Sequence, residues 1–175
     1  MAEGPPAVVV IVGSESDSEQ IGPCLETLAH LGIAYEARIL SAHRTPHALA
    51  EYTERLEERG VRVVIAAAGM AAHLAGMVAA HTTLPVVGVP IASGPLGGID
   101  SLLATAQMPP GVPVATVAIG KPGAANAALL AARILALSDH GLKGRLQARL
   151  GEKRDQVLQS TLPAPDCEQP RPTIG

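Results

Sequence analysis

Five short strand-like runs recur along the chain, each followed by a loop rich in Gly, Ser or small residues and then by a stretch with helical spacing. Strands that alternate with helices need crossover connections, and crossovers that return to the same sheet make it parallel. The first run, residues 7–12 (AVVVIV), has no polar side chain to turn toward water. It reads as a strand buried on both faces. Further strands are expected at about 34–40, 62–67, 86–91 and 114–119. Between them, Ile21, Cys24, Leu25, Leu28 and Leu31 recur at three and four residues, with Gly32 as the stop. Thr45 is a plausible N-cap with Pro46 at the first helical position, Leu49, Tyr52 and Leu56 mark the buried stripe, and Gly60 ends that helix. Asp100 and Ser101 suit the opening of the helix after strand four.

The expected architecture is a three-layer α/β domain: a doubly wound parallel sheet of flavodoxin-like order with an extra C-terminal helix. Residues 124–137 are too apolar for a helix with one wet face, which implies burial, partly against other subunits. Residues 138–159 are charged and helical in pattern. A single catalytic domain is expected over 1–160. Residues 161–175 hold Pro163, Pro165, Pro170 and Pro172 and read as a flexible tail.

The chain has 175 residues, of which 47% are hydrophobic and 17% charged. That is enough for one domain with a sizeable core. There is no Phe or Trp, and the only aromatic residues besides His are Tyr35 and Tyr52, so the core must be built from Val, Ile, Leu and Ala. The net charge is −3 and no basic stripe is present, which argues against a nucleic-acid partner. Cys24 and Cys167 form neither a disulfide framework nor a zinc spacing. The first six residues, MAEGPP, lack the basic start of a signal peptide, and the apolar stretch 63–80 is broken by Gly69, His73 and Gly76. A soluble cytoplasmic protein is expected, without membrane contact.

In an open parallel sheet, ligands sit outside the carboxyl ends of the strands. Residues 13–17 (GSESD) place Ser14, Ser16 and Asp17 at a helix start, where free amides and the helix dipole attract phosphate. Ser16 or Asp17 as a plain helix cap is the alternative. Residues 41–46 (SAHRTP) set His43 beside Arg44 on the next strand-end loop. His exchanges protons near neutral pH, and Arg offers a fork of donors for phosphate or carboxylate. The alternative is a turn-stabilising His43 and a solvated Arg44. His43 and His47 have a metal-like spacing, but His43 precedes the helix and the two do not share a face, so no metal is expected. His73, in residues 68–74 (AGMAAHL), taken alone reads as a structural His bonded to a backbone carbonyl. His30, His81 and His140 read as helix-surface or helix-end residues.

Taken together, GSESD, SAHRTP, AAHLAGM (71–77), LPVVGVP (84–90), DSLLATAQMPPGVPVATVAIG (100–120) and GAANAALLAARIL (123–135) resemble the family of N5-carboxyaminoimidazole ribonucleotide mutases, also called phosphoribosylaminoimidazole carboxylase catalytic subunits. The resemblance implies an octamer of flavodoxin-like subunits. It implies conversion of the N5-carboxylated ribonucleotide to the C4-carboxylated one in purine biosynthesis, without metal or organic cofactor. It implies a functional link to the ATP-dependent synthetase that makes the substrate. Carried over by motif, His43 is the acid/base, and Ser14, Ser16, Asp17 and Arg44 hold the ribose-phosphate. Ser41, Ala42, Gly69, Ala71, His73 and Leu74 complete the substrate site.

The chain departs from the family in three places. Met70 stands where Gly is usual, Ala75 where Pro is usual, and residues 93–98 (SGPLGG) lack the usual Lys. A second branch of the family, which carboxylates the ring directly with CO₂, resembles SAHK and lacks AAHL, so Arg44 and His73 favour the mutase branch. Two readings from other classes are disfavoured by the residues. A flavin carrier needs aromatic side chains in the loops, and a receiver module needs acidic residues at the end of strand one, where Val12 and Gly13 stand.

Overall fold

The computed structural model describes residues 4–162. Cys167 and the Pro-rich tail beyond residue 162 lie outside the described residues. Five parallel strands form one sheet: β1 (Val8–Val12), β2 (Tyr35–Ile39), β3 (Val63–Gly69), β4 (Val86–Ile91) and β5 (Ala115–Thr116). Their order across the sheet is 2-1-3-4-5, the flavodoxin-like order. Six α-helices occur among the described residues: α1 (Ser18–His30), α2 (Pro46–Glu54), α3 (Leu74–Ala80), α4 (Ile99–Ala106), α5 (Gly120–Leu135) and α6 (His140–Gln159).

Alternation along the strands divides the core in two. Val8, Val10 and Val12 join Val63, Ile65 and Ala67 on the face covered by α1, α5 and α6. Val9 and Ile11 join Val64 and Ala66 on the face covered by α2 and α3. All five residues of β1 are buried, as an apolar run in a sheet covered on both faces requires. Each large side chain buried there contributes about 1.5–3 kcal/mol. Cys24 lies in the first of these cores, and burial pushes its thiol up to about 12.

Four sequence expectations shift. Strand five shrinks from six residues to two, because it pairs on one side only and its flanks turn away into loops. The helix expected to reach Gly60 ends at Glu54, and residues 55–60 continue as turns that still bury Leu56. The Ala-rich helix starts at Gly120 instead of residue 124. Its small-residue face (Gly123, Ala124, Ala127, Ala128, Ala131, Ala132) is used within the chain, where α5 packs closely on α1 and the sheet. The fourth helix opens on Gly98 at φ 93°, and the Ser101 hydroxyl donates to the carbonyls of Ile91 and Gly98 instead of capping.

Candidate active site

In the order 2-1-3, the loop after β1 lies between the loops after β2 and β3. The chain leaves β1 for β2 on one side and later returns to β3 on the other, so the crevice opens between diverging loops. A cavity of about 450 Å³ fills that crevice. Ser14, Ser16, Asp17, Ser41, Ala42, His43, Arg44, Gly69, Ala71, His73 and Leu74 all line it. Gly13, Ala68, Met70 and Ser93 line it as well.

The β1 loop does not cap α1 in the simple way. Residues Glu15–Asp17 form a 3₁₀ turn ahead of α1, and Asp17 occupies the N-cap position without a side-chain bond to the helix. The Ser16 hydroxyl instead donates to Ser14 Oγ at 3.0 Å and lies 3.4 Å from Asp17 Oδ1. These hydroxyls therefore face the cavity at the start of a 13-residue helix. Its amides and dipole make that end attractive to an anion.

The β2 loop is tied by its own side chains. Thr45 Oγ1 accepts from Ser41 N–H at 2.9 Å and donates to Ser41 O at 3.1 Å, so it locks the turn and leaves Pro46 to begin α2. Arg44 reaches back to β1, where Nη2 donates to Gly13 O at 3.0 Å, and its backbone N–H donates to Ser41 Oγ at 3.1 Å. The guanidinium is thereby held over the β1 loop with further donors free for a ligand.

The reading of His73 as bonded to a backbone carbonyl is corrected. Its Nδ1 lies 2.7 Å from His43 Nε2, with the rings edge to face at 78°. One of the facing nitrogens carries the proton and the other accepts it. Two facing N–H groups cannot occupy that distance, so the pair holds a single proton between its inner nitrogens. His47 does not join it. No group of three or more His, Cys, Asp or Glu side chains suited to a metal occurs among the described residues. His81 pairs with Glu54 at 3.2 Å, away from the cavity.

Glycine at position 69 is required by close approach: a Cβ there would stand 1.8 Å from Ser93 Oγ and 3.3 Å from Ile91 O. Two further contacts were hidden from sequence pattern. Gln20, on the first turn of α1, donates to Ala92 O at 3.0 Å and accepts from Ala92 N–H at 3.2 Å, clamping α1 to the loop after β4. Met70 takes a left-handed backbone at φ 53°. Only the missing glycine in the family pattern marked that position. Ala75, where the family usually has Pro, is buried in the first turn of α3, with its Cβ close to Gly88.

The family model described as AIR carboxylase matches residues 7–156. The chain belongs to the AIR carboxylase family. Its relatives include the N5-carboxyaminoimidazole ribonucleotide mutase of Bacillus subtilis (strain 168), 52% identical over 156 residues, which cover 89% of this chain and 96% of the relative. The enzyme of the same name from Saccharolobus solfataricus is 53% identical over 159 residues, covering 91% and 99%. Among solved structures, Treponema denticola PurE matches with a TM-score of 0.80 at 28% identity, covering 87% of this chain and 94% of that one.

Within this cavity, Asp17 carries an electrostatic cost. Burial pushes its carboxyl above the usual carboxylate range, while the Ser16 hydroxyl and Arg44 pull it partly back. A raised pKa means the folded state holds the proton more tightly than the unfolded chain. Stability therefore falls as pH rises from the unfolded value of about 3.9 through the raised folded value, and stays lower above it. Asp17→Asn is uncharged throughout. We expect it to melt at a higher temperature than the parent at pH 7 and to lose that advantage near pH 3. Melting curves at the two pH values check this, and an equal or lower melting temperature at pH 7 would contradict it.

Proposed function

We propose that this chain interconverts N5-carboxyaminoimidazole ribonucleotide and 4-carboxyaminoimidazole ribonucleotide in purine biosynthesis. One observation carries the reading. Arg44 and the start of α1 lie along the same cavity as a joined pair of histidines, in a chain about half identical to enzymes named for that reaction. The 5′-phosphate is placed at the α1 start, held by Ser16 and the Arg44 fork, with Ser14 and Asp17 toward the ribose. Lys121, the other cation near α1, is held by Glu19 at 2.7 Å and does not line the cavity. Ser41 and Ala42 shape the wall, and Gly69, Ala71, His73 and Leu74 surround the reacting end.

The chemistry needs one proton carrier and a dry pocket. The substrate carries its carboxyl as a carbamate. The N–CO₂ bond breaks, its electron pair stays on nitrogen, and protonated His43 delivers the proton there. The ring is then electron-rich at C4, which attacks the same CO₂ molecule. His43 removes the C4 proton and is restored, so the net change is an isomerisation. His73 holds the Nε2 edge of the His43 ring through the 2.7 Å bond and so leaves Nδ1 as the nitrogen that exchanges a proton with the substrate. Keeping CO₂ beside C4 gives the high effective concentration that the second bond needs. Amides of the loop at 69–72 steady the carboxylate as it forms. The reading needs no metal or organic cofactor.

We place the enzyme in the cytoplasm as a homo-octamer, working beside the ATP-dependent synthetase that forms the carbamate. Among the described residues no helix is long and apolar enough to cross a membrane. The exposed Leu150, Val157 and Leu158 on α6 and Ile99 and Leu103 on α4 support self-association.

Arg44→Leu tests the placement of the nucleotide. Losing charge-assisted hydrogen bonds on the order of 1.5–3 kcal/mol each should raise KM by about 10- to 100-fold per bond lost. Steady-state kinetics, with a ligand-bound structure, check it. A phosphate found beside Lys121, or an unchanged KM, would contradict it.

A further inference from the structure

Gln20 is the third residue of α1, a position from which Gln ordinarily turns back to bond the amides of its own helix start. Here it turns away. Its amide donates to Ala92 O at 3.0 Å and accepts from Ala92 N–H at 3.2 Å. One side chain thus holds both backbone groups of a residue 72 positions later in the chain. The fold leaves room for it: Gly120, the first residue of α5, has φ 69°, and a Cβ there would stand 3.1 Å from Gln20 Oε1. Just before Gln20, Ser16 and Asp17 line the end of the cavity where the phosphate is placed. Directly after Ala92, Ser93 lines the other end, against the bare α-carbon of Gly69. The Gln20 clamp therefore joins the two ends of the site.

The loop that Gln20 grips has little order of its own. Residues 92–98 (ASGPLGG) include Gly94, Gly97 and Gly98, with left-handed backbones at φ 75°, 59° and 93°. Glycine loses more backbone freedom on being fixed than any other residue, so such a loop needs ties. The Ser101 hydroxyl staples its two ends through Ile91 O and Gly98 O. Among the described residues, Gln20 is the only side chain from outside the β4–α4 segment that bonds to it. The neighbouring Glu19 reaches Lys121 at 2.7 Å instead, an exposed pair at the start of α5 that contributes little. We propose that Gln20 is a positioning residue that couples the phosphate end of the site to its reacting end. A phosphate seated on the α1 start fixes that turn. Through Gln20 it also fixes the backbone of Ala92 and Ser93, so binding energy gained at the phosphate orders the wall beside Gly69. The inference rests on the isomerisation and the phosphate placement proposed above.

The test compares wild type, Gln20→Met and Glu19→Gln. Met keeps the length of Gln and suits a helix, but it cannot donate to Ala92 O. Hydrogen exchange of residues 92–98 is followed with and without aminoimidazole ribonucleotide, which carries the phosphate and lacks the carboxyl. The nucleotide should slow exchange there about fivefold or more in wild type and Glu19→Gln, and by less than about twofold in Gln20→Met. For the isomerisation, kcat should fall about tenfold in Gln20→Met, with nucleotide Kd within about threefold of wild type. Glu19→Gln should keep kcat within about twofold. A role in stability alone would lower Tm and leave kcat per nucleotide-binding molecule unchanged. Three results each overturn the inference and leave the isomerisation standing: loop exchange that ignores the nucleotide in wild type or responds equally in Gln20→Met, a Gln20→Met kcat within about twofold of wild type, or an equal loss of kcat in Glu19→Gln. A wild type that forms no C4-carboxylated product from the N5-carboxylated substrate overturns the parent reading, and this inference with it.

Discussion

Replacing His43 with Asn is expected to lower turnover by roughly 10²–10⁴-fold, the contribution of a well-placed general acid/base. Asn keeps much of the side chain's size and some hydrogen bonding toward His73, but it cannot exchange a proton near pH 7. Nucleotide affinity should change little, because the contacts proposed for the phosphate and ribose come from Ser16, Arg44 and the start of α1. Single-turnover kinetics together with a binding titration separate the two effects. If His43 only shapes the loop, Asn should be nearly as good as His. Activity within a few-fold of wild type, with the ligand correctly bound, would remove His43 from the acid/base role and leave His73 as the next candidate.

The second large effect concerns stability. Gly123, in the first turn of α5, lies against the backbone of the segment that leads from β5 into the helix: a Cβ there would lie 1.6 Å from the carbonyl oxygen of Ala118. The clashing atom belongs to the backbone, so no rotamer change relieves it, and the first turn of α5 must move. Gly123→Ala should cost about 3 kcal/mol, at the upper end of ordinary overpacking. For a domain of this size that lowers Tm by about 6–12 °C. The same helix backs α1, which begins just after the cavity-lining Ser16 and Asp17, so the variant should also lose affinity for the nucleotide proposed to bind there. A Tm within about 2 °C of the parent would contradict the close approach.

The sheet was legible because its signal is local. β1 is an unbroken β-branched run, and residues 86–91 are bounded by turns as sharply as the structure bounds β4. The loops were legible because small residues and hydroxyls cluster after each strand. What stayed hidden depends on how distant segments meet. β5 reads as six residues by composition, but its length is set by pairing with β4 alone. The start of α5 was hidden for a similar reason: Gly120 and Gly123 look like loop residues until the approach to Ala118 explains them. His73 offers the clearest case. In its own apolar segment it looks structural, and nothing nearby names its partner. That partner is thirty positions earlier in the chain, and the strand order 2-1-3 brings the two loops together. The left-handed backbone of Met70 leaves no mark on an isolated sequence, and only the family's usual glycine pointed to that position.

The most direct measurement of the central claim is the fate of the carboxyl group. The purified protein is given aminoimidazole ribonucleotide and bicarbonate, first alone and then with ATP and the ATP-dependent synthetase. Formation of 4-carboxyaminoimidazole ribonucleotide only when the synthetase supplies the N5-carboxylated substrate is the predicted result. Efficient carboxylation without the synthetase would place the enzyme in the branch that uses CO₂ directly. No C4-carboxylated product in either case would contradict the account.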